Sequence, residues 1–321
     1  MSPNIKNNIT RYSSDKVFYL MLTITLLFTL TSNINENWGE FLQYLVLILG
    51  TLMIGIPHGA IDNYIFYKRY SKLNLRVKLI FYINYIGLII IAAAVWYFVP
   101  ELFMLLFVLY SAYHFGQSNW YYLKFPEFDL KKIVHYLVWG LYILLFPVLV
   151  NYQDSEVIIN YISGQENVLF NLMYIYRLEI LLILALLNLL IIFVYYYINK
   201  IDYKMALKEI LLLSTLTVLY LSAPLLLSFF TYWIFFHSYS SLVETSQYLN
   251  KSRSMSSIVL SWKKSLPLTS ITLLGILIIY LIVGNFSENV LIAVFFLIIS
   301  FVTIPHMFVM QSMYANLFKS Q

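Results

Sequence analysis

GIPHGAID (residues 55–62) ends a long apolar run and brings a histidine and an aspartate to a depth where a lipid-facing helix has no use for either. An ionisable side chain at membrane depth costs ~2.5–3.5 kcal/mol on insertion scales, so such residues usually have a partner or a function. If residues 58–62 are helical, His58 and Asp62 lie on one face, four residues apart. The stretch therefore predicts an intramembrane site in which the carboxylate holds one nitrogen of the histidine ring.

The composition indicates a membrane protein rather than a soluble one. Of the 321 residues, 61% are hydrophobic and only 11% are charged, and the mean hydropathy is +0.78, whereas a soluble domain carries roughly 25% charged residues. The chain contains no cysteine, which excludes disulfides, thiolate metal sites and cysteine nucleophiles. The net charge of +5 does not indicate a nucleic-acid partner, because the charges are scattered in short loops.

The apolar runs predict an all-α fold, a polytopic integral membrane helix bundle with about ten transmembrane helices, since each span needs about 20 mostly apolar residues. We expect residues 1–321 to form a single membrane-embedded domain with a short polar N-terminal tail, residues 1–16. The predicted spans are 17–33, 39–57, 77–99, 101–121, 133–151, 176–199, 205–223, 225–246, 267–285 and 289–313.

The loop charges predict the orientation of these spans. Arg177 is the only one of the 20 basic residues that falls on the side opposite to the others, and that side carries most of the acidic loop residues. Because cytoplasmic loops are enriched in lysine and arginine, both termini are expected in the cytoplasm. The chain is thus expected to be a multi-pass protein of the plasma membrane.

Four histidines lie at similar predicted depths on four spans that all run from outside to inside. At 1.5 Å per residue they sit roughly 18–27 Å from the outer ends of their helices. Neutral imidazole suits iron, zinc, copper and nickel, and ligands on facing helices build metal sites in bundle cores. For each one alone, the alternative is a packing residue bonded to a neighbouring carbonyl. The candidate metal ligands are His58, His114, His237 and His306, whereas His135 is expected at the membrane interface.

Three polar residues share helix faces with these histidines. Gln117 follows the second histidine by three residues, and Glu244 follows the third by seven. Asp62 and Glu244 are the candidates for orienting the metal ligands through hydrogen bonds. The alternatives are that Asp62 caps a helix and that Glu244 pairs with Lys251 or Arg253.

Four motifs together resemble the Brp/Blh family of bacterial and archaeal integral-membrane β-carotene 15,15′-dioxygenases. They are PHGAID (57–62), HFG (114–116), HS (237–238) and PHM (305–307), and the resemblance extends over about residues 40–313. It implies oxidative cleavage of lipid-dissolved β-carotene by O₂ at the central double bond, giving two retinal molecules, with Fe²⁺ held by histidines. The retinal would then be available to a retinal-binding rhodopsin.

The resemblance also assigns roles to residues of this chain. It implies that the four candidate histidines hold the iron and that Asp62 and Glu244 orient them. The family pattern has a second histidine four residues after His237, and Ser241 occupies that position here. Either His306 completes the metal shell, or a water molecule fills the gap. The replacement leaves open altered activity or none.

Two other classes of function remain possible from the sequence. One is a carotenoid-binding or metal-binding membrane protein without cleavage activity. The other is a transporter or carrier whose histidines relay protons or ligate haem, because protonatable residues inside membranes also mark pumps. A di-iron desaturase is disfavoured, since five isolated histidines cannot supply the histidine boxes of that chemistry.

Overall fold

A computed structural model describes residues 13–70, 72–123, 129–283 and 287–319. All regular secondary structure in these residues is helical, and none of them forms a strand, which confirms the all-α prediction. Most of the predicted polar tail, residues 1–16, and the last two residues of the predicted span 267–285 lie outside the described residues. The helical elements are α1 (Asp15–Ile34), α2 (Glu36–Leu45), π1 (Val46–Gly55), α3 (Ile56–Gly59), α4 (Asp62–Tyr67), α5 (Leu75–Phe98), α6 (Pro100–Trp120), α7 (Leu130–Val150), α8 (Tyr152–Ser163), α9 (Val168–Ile175), α10 (Arg177–Tyr197), α11 (Tyr203–Ser222), α12 (Leu225–Thr231), π2 (Tyr232–Ser238), α13 (Tyr239–Asn250), α14 (Met255–Val283) and α15 (Glu288–Lys319).

Eight helices of the described residues are long and apolar enough to cross a membrane. Each of them overlaps one of the ten predicted spans. They are α1, the run Asn37–Tyr67, α5, α7, α10, α11 and the greater parts of α14 and α15.

The two remaining predicted spans, 101–121 and 225–246, are helical but are not among these eight. The first is α6, whose C-terminal half buries a run of polar residues that includes Gln117, Ser118 and Asn119. The second is divided into α12, π2 and α13, and it likewise buries serines and a glutamate. These two helices are less apolar because they carry the polar interior of the bundle.

The stretch around His58 contains a change of helix type and a break. Residues Val46–Gly55 form a π-helix, and Pro57 lies in the short α-helix that follows it directly; the indole N–H of Trp262 donates to the carbonyl of Met53, four residues before this proline. The α-helix then stops at Ala60, and a new one starts at Asp62. Single turns of π-helix often occur at functional sites, because they rotate the following side chains to a new face.

The segment between α7 and α10, for which the sequence shows no motif, forms the two short helices α8 and α9. Gly164 ends α8 in the left-handed conformation with φ +73°, and the Asn167 side chain accepts a hydrogen bond from the backbone N–H of Phe170 to cap α9. Helix α8 packs against α6, α7 and α15. It thereby covers one end of the space between these helices.

Helices α6 and α7 lie in closer contact than ordinary side chains permit, because two glycines face the opposite backbone. A Cβ atom at Gly116 would collide with the backbone of Tyr136, and one at Gly140 would collide with the backbone of Ala112. Small residues of this kind let transmembrane helices approach closely. The contact fixes the position of α6 next to His114.

Candidate functional site

The four candidate histidines converge from four different elements of the chain. Ring centroids are 5.3 Å apart for His58 and His237, and 5.1 Å apart for His58 and His306. They are 5.0 Å apart for His114 and His237, and 5.3 Å apart for His114 and His306. Each imidazole therefore contacts two others, and together they close a four-histidine cluster. All four side chains are buried.

This spacing is compatible with imidazoles that bind one metal ion, and it is also an ordinary distance between packed T-shaped rings. A metal–nitrogen bond of ~2.1 Å plus a ring radius of ~1.2 Å places two ring centroids roughly 4.6–5.3 Å apart at bond angles between right-angled and tetrahedral. The distances in the cluster agree with that range. Ring centroids are fixed by the backbone and χ1, because each centroid lies nearly on the Cβ–Cγ axis, whereas χ2 sets where the nitrogens point.

The donor atoms themselves do not form a ready coordination shell. Among the described residues, no three His, Cys, Asp or Glu side chains are arranged as a group that could hold a metal ion. The χ2 torsion of histidine is broad, so the ring of His114 can rotate without moving its centroid, whereas hydrogen bonds to Gly55 and Asp62 hold the rings of His58 and His306. The ring spacing is the feature that side-chain rotation leaves unchanged.

Two of the histidines have one ring nitrogen committed to an acceptor. The Nδ1–H of His58 donates to the carbonyl oxygen of Gly55, and the Nδ1–H of His306 donates to the carboxylate of Asp62 at 2.9 Å. Both acceptors require the proton on Nδ1, which leaves the lone pair on Nε2. This arrangement is typical of metal-binding histidines, whose second nitrogen is held by a carbonyl or a carboxylate.

His114 differs from these two in having no anchor. Both of its ring nitrogens are buried and make no hydrogen bond with any part of the chain that the structure describes. The Nε2 atom of His306 is in the same condition. Leaving buried polar atoms without partners is costly, so these nitrogens indicate that a ligand belongs at the cluster.

Asp62 contacts a different histidine from the expected one. Its carboxylate accepts hydrogen bonds from His306, on α15, and from the hydroxyl of Tyr85 at 3.0 Å, on α5. The prediction that it holds His58 is wrong, because the helix break at Ala60 removes the shared face. The capping alternative is also wrong, since the Asp62 side chain makes no cap at the start of α4.

Tyr85 is a site residue that the sequence reasoning missed. It lies ten residues into α5, which is ~15 Å along the helix and deeper than the interfacial belt where membrane tyrosines usually occur. A tyrosine hydroxyl at such depth needs a hydrogen-bond partner. That depth was the available signal, although the sequence could not name Asp62 as the partner.

Glu244 lies in the middle of α13, completely buried. Its Oε2 atom accepts a hydrogen bond of 2.7 Å from the hydroxyl of Tyr314, on α15. The hydroxyls of Ser118 and Ser241 lie beside the same tyrosine. Ser241 thus faces a polar cluster formed by α6, α13 and α15. Gln117, the other predicted neighbour of a histidine, is buried nearby on α6.

His135 lies outside the four-histidine cluster. It is only 3% exposed, and its ring packs against Trp120 and Tyr195 at centroid distances of 4.5 and 4.9 Å. Helices α6 and α10 cover the side chain near their C-terminal ends, and the expected position at the membrane interface stays a prediction. The fifth histidine is therefore a packed interior residue, separate from the candidate metal centre.

A large cavity opens onto the four-histidine cluster. Its volume is about 770 Å³, within the range of ligand pockets. All four histidines and Asp62 reach its wall, which is otherwise mostly aliphatic and aromatic. Side chains that are also exposed on the outside of the bundle, such as Leu105 on α6 and Ile271 on α14, reach the same wall. The cavity suits a long apolar ligand that arrives from the lipid.

The fold and the site define a class: a helical membrane protein with a histidine cluster beside an apolar cavity. The chain matches the family described as beta-carotene 15,15′-dioxygenase over residues 49–314, which include all four histidines. It belongs to this family, as the four motifs predict. No curated protein and no solved structure matches the chain.

Proposed function

We propose that this chain cleaves β-carotene at its central 15,15′ double bond with O₂, and that an iron ion held by the four-histidine cluster is required. The observation that carries the proposal is the position of that cluster in the wall of a 770 Å³ apolar cavity, in a chain of the β-carotene 15,15′-dioxygenase family. One C=C bond breaks, and each of its carbons takes one oxygen atom of O₂. The products are two molecules of retinal.

The ligand assignment follows the hydrogen bonds around the rings. His58 and His306 present Nε2 because Gly55 and Asp62 hold their Nδ1–H groups. His114 and His237 complete the set at the same ring spacing. When bound, Fe²⁺ supplies the redox chemistry by which O₂ reacts with an electron-rich double bond. The chain supplies the position and the dryness of the site.

Two carboxylates support these ligands. Asp62 acts as a positioning residue that fixes the tautomer and orientation of His306, with Tyr85 holding its second oxygen. Glu244 lies seven residues after His237 and is tied to α15 through Tyr314. We assign it to holding α13 and α15 in register beneath the cluster, which keeps His237 and His306 at one depth.

We further propose a ten-span topology with both termini in the cytoplasm of the plasma membrane, in one membrane-embedded domain. The loop charges support it, together with the helical character of α6 and of α12 to α13. In this topology the four histidines lie in the cytoplasmic half of the bilayer. β-Carotene then enters sideways from the lipid, and retinal returns to the lipid. A retinal-binding rhodopsin in the same membrane would take up this product.

The experiment is expression in bacteria that accumulate β-carotene, followed by chromatography of the extracted pigments. We expect the cells to lose colour and to form retinal, whereas cells with the His58→Ala variant keep their carotene. Well-expressed, iron-loaded protein that leaves the carotene undiminished would contradict the proposal. Carotene that copurifies uncut would favour a binding protein, and a haem spectrum would favour a carrier.

The hydrogen bonds around Asp62 give a graded prediction. Asp62→Asn keeps the size of the side chain but removes its charge, so we expect iron affinity to fall by roughly 10–100-fold, as for other residues that orient metal-bound histidines. Tyr85→Phe removes only the supporting hydroxyl and should give a smaller loss. Chelator competition measures both affinities.

A matched control lies on the same helix as Tyr85. Tyr97 is exposed at the far end of α5, so Tyr97→Phe should leave iron affinity unchanged. Melting temperatures measured in parallel separate metal binding from general stability. Wild-type iron affinity in Asp62→Asn would remove the carboxylate from the site.

A further inference from the structure

The cavity has two ends of different chemistry. It follows α6 from His114 back to Glu101, and these residues are thirteen positions apart, which is ~20 Å along the helix. His114 brings the four-histidine cluster to one end of this stretch of α6. At the other end, Glu101 meets the cavity together with Ser155, on α8, and Asn167, which caps α9. Between the two ends the wall is mainly apolar.

The polar groups at this far end have unused hydrogen-bonding capacity. The Ser155 side chain is 2% exposed, and its hydroxyl makes no hydrogen bond with the described part of the chain. Asn167 uses Oδ1 to cap α9, which leaves the two donors of its side-chain amide. Glu101 accepts from Gln165 through Oε1, which leaves Oε2 as an acceptor. Two buried residues with donors and a solvent-exposed carboxylate therefore line the same apolar cavity.

We propose that the Glu101, Ser155 and Asn167 end of the cavity binds a hydroxyl group on the terminal ring of the carotenoid, so that ring-hydroxylated carotenoids are preferred substrates. The inference rests on the proposed function for the identity of the ligand. A hydroxyl group both donates and accepts, so it matches the carboxylate oxygen and the amide donors at once. An unsubstituted ring leaves the buried hydroxyl of Ser155 unsatisfied, which disfavours that substrate.

The test compares unsubstituted β-carotene with its ring-hydroxylated derivative, supplied together to the full-length protein. The measured quantity is the ratio of hydroxylated to plain retinal. We expect wild-type protein to favour the hydroxylated substrate. Ser155→Ala should lower that ratio by roughly 3–10-fold, the effect of one hydrogen bond. Asn167→Asp, which keeps the capping oxygen but loses the amide donors, should lower it as well.

The matched control is Ser300→Ala. Ser300 also lines the cavity, but its hydroxyl already donates to the carbonyl of Leu297, so the ratio should not change. A ratio that is the same in wild type and in Ser155→Ala overturns the inference. A ratio that falls equally in Ser300→Ala overturns it too, because the effect would then be general to the cavity.

Failure of the proposed function is distinguished by a binding measurement. If neither carotenoid is cleaved, purified protein is equilibrated with an equal mixture of the two, and the retained pigment is extracted. Enrichment of the hydroxylated form in wild type but not in Ser155→Ala supports the polar end as a recognition site in a protein that does not cleave. Equal retention of both forms, in both proteins, overturns it.

Discussion

His114→Ala should abolish iron retention and carotenoid cleavage together, with a loss of activity of at least ~100-fold, the upper end of what residues that merely orient metal ligands contribute. The physical reason is that this ring has no hydrogen-bonding role in the described structure. Its two nitrogens make no hydrogen bond with the residues that the structure describes, while its neighbours His237 and His306 stand at ligand spacing. The substitution therefore removes a proposed metal ligand without breaking an anchoring hydrogen bond.

The measurements are iron content per protein and the rate of retinal formation. His135→Gln is the matched control, because His135 is equally buried but packs against Trp120 and Tyr195 away from the cluster. It should lower the melting temperature somewhat and leave iron content unchanged. If the His114→Ala protein keeps its iron, the ring of His114 is not a ligand. The proposal that the cluster is a metal centre then lacks the histidine that supports it best.

The convergence of the four histidines could be predicted from the sequence because depth is a one-dimensional property. Counting residues along spans of predicted direction places His58, His114, His237 and His306 at similar levels, and the ring distances of 5.0–5.3 Å show that they meet. Their role as iron ligands stays a prediction. Most helices could be predicted for the same reason, since apolar length alone defines a span.

The partners of these histidines could not be predicted, because they depend on rotation about helix axes. An unbroken helix through residues 58–62 would place Asp62 beside His58. The chain instead changes from π-helix to α-helix at Ile56, and the α-helix breaks at Ala60. These changes turn Asp62 towards His306 and Tyr85. In the same way, π2 determines the direction of the His237 side chain, and no sequence pattern predicts this π-helix.

The cavity is likewise a property of three-dimensional packing. Its far end depends on α8 and α9, whose sequence shows no functional motif, and on the position of Glu101 at the start of α6. Taken alone, Ser155 is an ordinary helix residue and Asn167 an ordinary N-cap. Only their placement at the end of an apolar cavity gives them a recognition role to test.

Gly116→Ala is the second substitution for which we expect a large effect, although it adds only one methyl group. The added Cβ collides with backbone atoms of Tyr136, which cannot move away as a flexible side chain would. Overpacking of this kind typically costs about 1–3 kcal/mol and more where backbone must shift, so we expect at least the upper end of that range. Thermal unfolding in detergent and yield of folded protein measure the loss.

Three glycines elsewhere make the comparison sharp. Gly140→Ala should be as damaging, because its Cβ meets the backbone of Ala112 at the same helix pair. Gly87 and Gly275 have open space around the position of a Cβ, so alanine at either should leave stability unchanged or slightly raised, as alanine favours helices. An equal loss at all four positions would show a general intolerance of alanine and would contradict the close-approach argument.

The position of Gly116 connects this packing to the chemistry. It lies two residues after His114, so a shift of α6 away from α7 also moves that ring relative to His237 and His306. We therefore expect Gly116→Ala protein that still folds to bind iron more weakly, and Gly87→Ala protein to bind it normally. The glycine in the HFG motif then has a physical reason: it sets the distance between two helices and thereby the distance between the imidazoles. Wild-type iron affinity in folded Gly116→Ala protein would separate the helix contact from the cluster.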